Sequence, residues 1–383
     1  MILISITTGK CKSVLIAILI AIGSLVCVEF VSRIALSLKE LSAIYMIYGF
    51  QNIIPQMNLE KVISKNGKVT YYRGVPDSNK HNPINKLGCR GPEIQEKRHG
   101  SIRIICIGGS TTYGDALSYH ETYPFLLQQR LDKLFGINFF EVINAGQPGM
   151  TLIQIIAFLS DQVLDWQPDI VLFMNINNNL KAPGFWFVDV KQADNTTIQP
   201  QHKFGIGISK LIRLKHLLIS KSAFVYIIYK ATTDWMGQYL VNFDYEAFAK
   251  RLMAEDNIWE NEFSSNLEGL MQICFKGNPD VKIILLEEAV NAIDYKVMDA
   301  PFTKAKTIMR QIAQKHHNVF SLDIQTPIIK AAIEGVSVWQ SPSYDPLHLS
   351  SEGNTVLVNI IVEFLLANKE VLLANEVPLQ VDN

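Results

Sequence analysis

From Ser101 onward the chain alternates short β-branched runs with amphipathic helical stretches, and this pattern limits the fold more than any other feature. Arg103–Ile107, Phe139–Ile143, Asp169–Met174, Val281–Leu286 and Val319–Asp323 read as five strands. Helical spacing over Tyr123–Leu134, Leu152–Leu164, Tyr245–Phe275, Phe302–Lys315 and Thr355–Leu366 separates or follows them. Strands joined through helices make βαβ units and a parallel sheet covered on both faces. Such a sheet puts its ligand site beyond the C-terminal ends of its strands.

The 383 residues carry 35 Lys and Arg against 36 Asp and Glu, a net charge of -1, which argues against a nucleic-acid binder. Hydrophobic residues at 48% and charged residues at 19% exclude disordered and fibrous classes. Cys11, Cys27, Cys89, Cys106 and Cys274 are scattered, without CxxC spacing, so neither a zinc site nor a disulfide framework is signalled.

Ser13–Val28 contains no charged residue. As a helix it spans ~24 Å, and the apolar pattern continues through Phe30, Val31, Ile34, Ala35 and Leu36. Glu29 and Arg33 are spaced to pair on one helix face near the interface. Lys10 and Lys12 precede the run, which places the N-terminus in the cytoplasm and the remainder outside. The stretch is therefore expected to be an uncleaved, single-pass signal anchor in the cytoplasmic membrane, facing the rest of the chain toward the periplasm or cell exterior. The alternatives are a cleaved signal peptide, for which no small-x-small site follows, and a buried helix of a soluble domain.

The expected organisation is an anchor over 1–36, a connector over 37–100, an α/β domain over 101–369 and a tail over 370–383. Residues 183–240 interrupt the alternation. No acid lies between Asp194 and Asp234, while Lys203, Lys210, Arg213, Lys215, Lys221 and Lys230 interleave with apolar residues. This reads as a solvated helical insertion packed on the domain, or as a basic amphipathic cap for lipid headgroups or an anionic substrate. Asn195-Thr196-Thr197 is a glycosylation sequon, relevant only in a eukaryotic secretory setting.

Four short blocks carry chemistry. The first strand runs into Gly108-Gly109-Ser110, where glycines allow a tight turn that presents a Ser hydroxyl at a strand end. Alone, this could equally be a phosphate-cradling glycine loop, although no Lys follows in the motif. Asp345-Pro346-Leu347-His348 precedes the last helix, and a carboxylate three residues before a His can fix its ring as a general base toward a Ser. The second strand runs into Asn144–Gly149, where a Gly lets a backbone N–H approach a reacting group. The third runs into Asn175-Ile176-Asn177-Asn178-Asn179, whose side chains can donate to an oxyanion or merely form a polar turn.

Taken together and in this order, the blocks resemble the SGNH, or GDSL-type, hydrolase superfamily over roughly 101–369. The resemblance implies a doubly wound three-layer α/β/α sandwich, flavodoxin-like, with a five-stranded parallel sheet. It assigns Ser110 as nucleophile, His348 as base and Asp345 as its orienting acid. The oxyanion hole is assigned to the Ser110 and Gly149 amides and the Asn177 side chain. Asn175 stands where the family usually has Gly, and Asn178 where it has Asp; both become candidates for the cleft. Leu87–Glu93 resembles a segment found before the Ser block in membrane-anchored members, and its Arg90 is either structural or another cleft residue. The implied chemistry is ester hydrolysis, or O-acyl transfer with the same triad, without metal or cofactor. The anchored topology points to an acylated envelope or exported glycan as substrate, with acetyl as the expected acyl group. A lipid ester and a non-catalytic glycan-binding or assembly protein are the competing readings.

Overall fold

A computed structural model describes residues 23–24, 26–31, 59–78, 82–115, 117–180, 224, 249–250, 252–254, 258–340 and 346–369. The chain divides into two compact units, Met1–Gln56 with Gln199–Phe243, and Met57–Ile198 with Asp244–Asn383. In the first unit residues 26–31 are helical. The Glu29 carboxylate there accepts a hydrogen bond from the Phe224 backbone N–H at 3.1 Å. Most of Ser13–Val28, Arg33, the cations of the insertion, the sequon and the tail lie outside the described residues. Among the described residues no helix is long and apolar enough to cross a membrane.

The second unit begins with an antiparallel hairpin, β1 (Leu59–Ile63) and β2 (Thr70–Gly74). It continues with five parallel strands, β3 (Ile102–Gly108), β4 (Phe140–Asn144), β5 (Ile170–Met174), β6 (Lys282–Glu287) and β7 (Val319–Asp323). Their order is β4-β3-β5-β6-β7, so the chain reverses its direction of growth at β3. The crevice for a ligand in such a sheet opens at that switch point, beyond the ends of β3 and β5.

The strands are apolar on both faces because both are covered. Ile104, Cys106, Ile170, Leu172, Ile284 and Leu286 pack with the helices Tyr123–Phe135 and Ser351–Ala367. Their alternate neighbours Ile105, Ile107, Val171, Phe173, Ile283 and Leu285 point to the opposite face and are equally buried. That face is covered by Leu152–Asp161, Ile258–Gly277 and Asp299–Lys315, which pack on one another in turn. In chain order we label the helices α1 (Ser110–Tyr113), α2 (Tyr123–Phe135), α3 (Leu152–Asp161), α4 (Ile258–Gly277), α5 (Asp299–Lys315), α6 (Gln325–Ile333) and α7 (Ser351–Ala367).

Three features differ from the sequence reading. The single helix expected over Tyr245–Phe275 is interrupted: a turn at Met253 and a bend at Ala254 precede α4. Asp256 and Asn257 just before Ile258 are residue types that start helices rather than continue them. The expected connector is in part an element of the domain, since β2 lies against α3 and Tyr71 donates to the Asp161 carboxylate at 3.2 Å. Helix α6 was not anticipated; it is short and buries Ile328.

Among the charged side chains buried in this unit is a lysine. Lys306 of α5 is buried and donates to Gln325, with Asp323, Glu287, Asp299 and Arg310 around it. Burial outweighs the acids and lowers its pKa to about 8. The unfolded chain therefore binds a proton that the folded chain releases between about pH 8 and the ordinary lysine value near 10.5, and over that window folding stability rises with pH. Lys306→Met is expected to remove that rise, as read by denaturant melts across the window.

Candidate active site

The loops at the ends of β3, β4 and β5, with the segment before α7, bring the four sequence blocks together. Strand β3 passes through Gly108 and Gly109 into the one-turn helix α1, which starts with Ser110 and ends at Gly114 in the left-handed region. A Cβ on Gly109 would stand 2.5 Å from Asn178 Nδ2, so the missing side chain makes room for the Asn block. Ser110 is half-buried.

His348 Nε2 lies 2.8 Å from Ser110 Oγ, although 238 residues separate them in the chain. Backbone pairing supports the His loop: the Gln340 N–H donates to His348 O at 3.0 Å and the Ser350 N–H to Val338 O at 2.9 Å. Ser350 Oγ then caps α7 by accepting from the Gly353 N–H at 3.0 Å. Asp345, the assigned orienting acid, lies outside the described residues.

The Gly and Asn blocks face each other and are stitched together. Asn175 Nδ2 donates to Met150 O at 2.7 Å, and Asn178 Nδ2 donates to the same carbonyl at 3.0 Å. Asn179 Oδ1 accepts from the Leu152 N–H at 2.7 Å and its Nδ2 donates to Asn175 O at 2.9 Å. Three of the four Asn side chains thus hold loops. Among the described residues the Asn177 side chain has no protein partner, and it is half-exposed at the start of a 3-10 turn. Gly149 has φ of 71°, a conformation that favours glycine, with open space where a Cβ would stand.

The three cleft candidates each engage the protein's own loops. Asn175 is buried and engaged with the Gly block rather than crowding the crevice. Asn178 is likewise a loop tether behind Gly109. Arg90 is 3% exposed, and its guanidinium donates to Tyr113 O at 3.0 Å, to Gly114 O at 2.6 Å, and to Leu117 O and Asn82 Oδ1. It lies 4.8 Å from the centroid of the Tyr113 ring. Its role is to secure the carbonyls that end α1, directly behind the nucleophile.

Two residues of the site were not anticipated. Gln147 is fully buried; its Nε2 donates to Gly88 O at 2.7 Å and its Oε1 accepts from the Gly74 N–H at 3.3 Å. Glu288, just past β6, is 3% exposed. Its Oε1 accepts from Thr111 Oγ1 at 2.8 Å, and its Oε2 from the Ile176 and Asn177 N–H groups at 2.6 and 2.8 Å. Only its position at a strand's C-terminal end marked it in the sequence. Among the described residues no group of three or more His, Cys, Asp or Glu side chains could hold a metal ion.

A hydroxyl in contact with an imidazole at the C-terminal ends of the strands has the nucleophile and base of an acyl-transfer site. The sequence matches no protein-family model, and no curated protein matches it. Among solved structures it is similar to an alpha/beta hydrolase enzyme from the metagenome of Lake Arreo, at 18% identity and a TM-score of 0.43, over 72% of this chain and 99% of that one. It is also similar to a catalytic mutant of an acetylxylan esterase from Geobacillus stearothermophilus, at 16% identity and a TM-score of 0.42, over 70% and 95%. A lipase/acylhydrolase from Enterococcus faecalis is similar at 16% identity and a TM-score of 0.41, over 70% and 96%.

Proposed function

We propose that the chain is a serine esterase of the SGNH/GDSL type. In this reading it removes an O-acyl group, most simply acetyl, from an envelope or exported glycan, and its N-terminal helix anchors it in the cytoplasmic membrane with the α/β domain outside. The observation that carries the chemistry is the 2.8 Å contact between His348 Nε2 and Ser110 Oγ at the switch point of the sheet.

In the proposed reaction Ser110 Oγ attacks the ester carbonyl carbon while His348 Nε2 takes the hydroxyl proton. The tetrahedral oxyanion is met by the Ser110 and Gly149 amides and Asn177 Nδ2. Collapse breaks the bond to the alkoxy oxygen, which leaves as the alcohol with the proton from His348. Water, deprotonated by the same imidazole, then attacks the acyl-serine and releases the acid. Asp345 is assigned to orient the imidazole and to stabilise its charged form.

The test is release of acetate from O-acetylated glycans and from p-nitrophenyl acetate by the full chain in detergent. Acetate that appears on an added sugar hydroxyl instead of in solution would reassign the reaction to O-acyl transfer. Removing the proposed side-chain donor with Asn177→Ala is expected to lower kcat about 10²- to 10³-fold and leave KM within about threefold. Steady-state kinetics of the purified variant check this.

A further inference from the structure

We infer that Glu288 is a positioning residue for this site: its buried carboxylate fixes where the Asn177 donor stands relative to Ser110. The inference rests on the esterase reading for what is positioned, but the clamp itself is a matter of geometry. One oxygen takes the hydroxyl of Thr111, the residue after the nucleophile. The other takes the consecutive N–H groups of Ile176 and Asn177, which carry the backbone of the proposed donor. One side chain from the end of β6 therefore bridges the loops that follow β3 and β5.

A carboxylate is suited to this task because it accepts several short, charge-assisted bonds at once. Three donors converge on a side chain that is 3% exposed. Its charge does not assist catalysis directly, since a fixed negative charge beside an oxyanion opposes it. The benefit must be geometric: an oxyanion donor acts through its preorganised position, and small displacements are costly. The isosteric amide can keep that geometry. In Glu288→Gln, Oε1 can accept from both amides while Nε2 donates to Thr111 Oγ1, which then acts as acceptor.

The test is a mutant cycle on the full chain with p-nitrophenyl acetate. Glu288→Ala is expected to lower kcat about 30- to 100-fold with KM within about threefold, and Glu288→Gln to recover activity to within about fivefold of wild type. In an Asn177→Ala background Glu288→Ala should cost no more than about threefold further, because its effect acts through that donor. A folded Glu288→Ala enzyme with wild-type kcat, or one whose full loss repeats in the Asn177→Ala background, would overturn the inference.

Amide hydrogen exchange separates this from the esterase reading. Exchange at Ile176 and Asn177 should accelerate at least about tenfold in Glu288→Ala and stay slow in Glu288→Gln. Absence of wild-type turnover would remove the esterase reading, while unchanged exchange at these two amides would remove the clamp. If Glu288→Ala does not fold, Glu288→Asp, one methylene too short to span both loops, is read in its place with the same expectations.

Discussion

Ser110→Ala and His348→Ala are each expected to lower kcat on p-nitrophenyl acetate by at least about 10⁴-fold, and the double variant to be no worse than either single one. The non-additivity follows from the geometry. A hydroxyl 2.8 Å from an imidazole nitrogen is a nucleophile only through that base, and the base's later proton delivery to the leaving alcohol acts only on the adduct that Ser110 forms. Removing either leaves the oxyanion donors and the binding surface, which sustain the same residual rate. Both side chains are half-buried at the crevice, so the variants should melt like wild type. Kinetics of three purified variants, with thermal melts as controls, decide the matter.

The second large effect concerns stability. Arg90→Met is expected to destabilise the α/β unit by about 3–5 kcal/mol. Truncation takes the guanidinium donor from Leu117 O and removes one of two donors from Tyr113 O, Gly114 O and Asn82 Oδ1, which keep Asn144 Nδ2, the Leu117 N–H and the Tyr119 N–H. Arg90→Lys should recover little, because an ammonium cannot present a planar fork to carbonyls on both sides. The lost contacts also hold the C-terminal end of α1, so kcat should fall alongside the melting temperature. Chemical denaturation of the two variants measures the first effect, and assays well below the transition measure the second.

The sheet was legible because its strands are buried on both faces and read as continuous apolar runs; β5, with Ile170 through Met174 fully buried, is the plainest case. The hairpin was less legible. Its strands are partly exposed and polar, although Asn66-Gly67 within its connection is a turn signal and Gly67 adopts φ of 72°. Ser110 and His348 could be paired only through their resemblance to a known order of motifs, since spacing says nothing about residues 238 apart.

The roles within the Asn block depended on contacts. Four asparagines in a row of five residues look alike in sequence, yet among the described residues three side chains bind neighbouring loops and that of Asn177 does not. Glu287 and Glu288 are likewise adjacent and chemically identical. Strand alternation sends the first to Arg310 and Ser321 and the second to Thr111 and the Asn block. Which of the two belongs to the site is decided by the pleat of β6, a register that composition does not reveal.

The central claim is that Ser110 forms a covalent acyl intermediate. The most direct measurement is to mix the full chain with p-nitrophenyl acetate, quench in acid at early times and map the adduct by peptide mass spectrometry. One acetyl mass on the peptide containing Ser110, absent from Ser110→Ala and decaying as the acid is released, is the predicted result. Turnover with no adduct on that peptide, or an acetyl group on another side chain that decays at the turnover rate, would contradict the account.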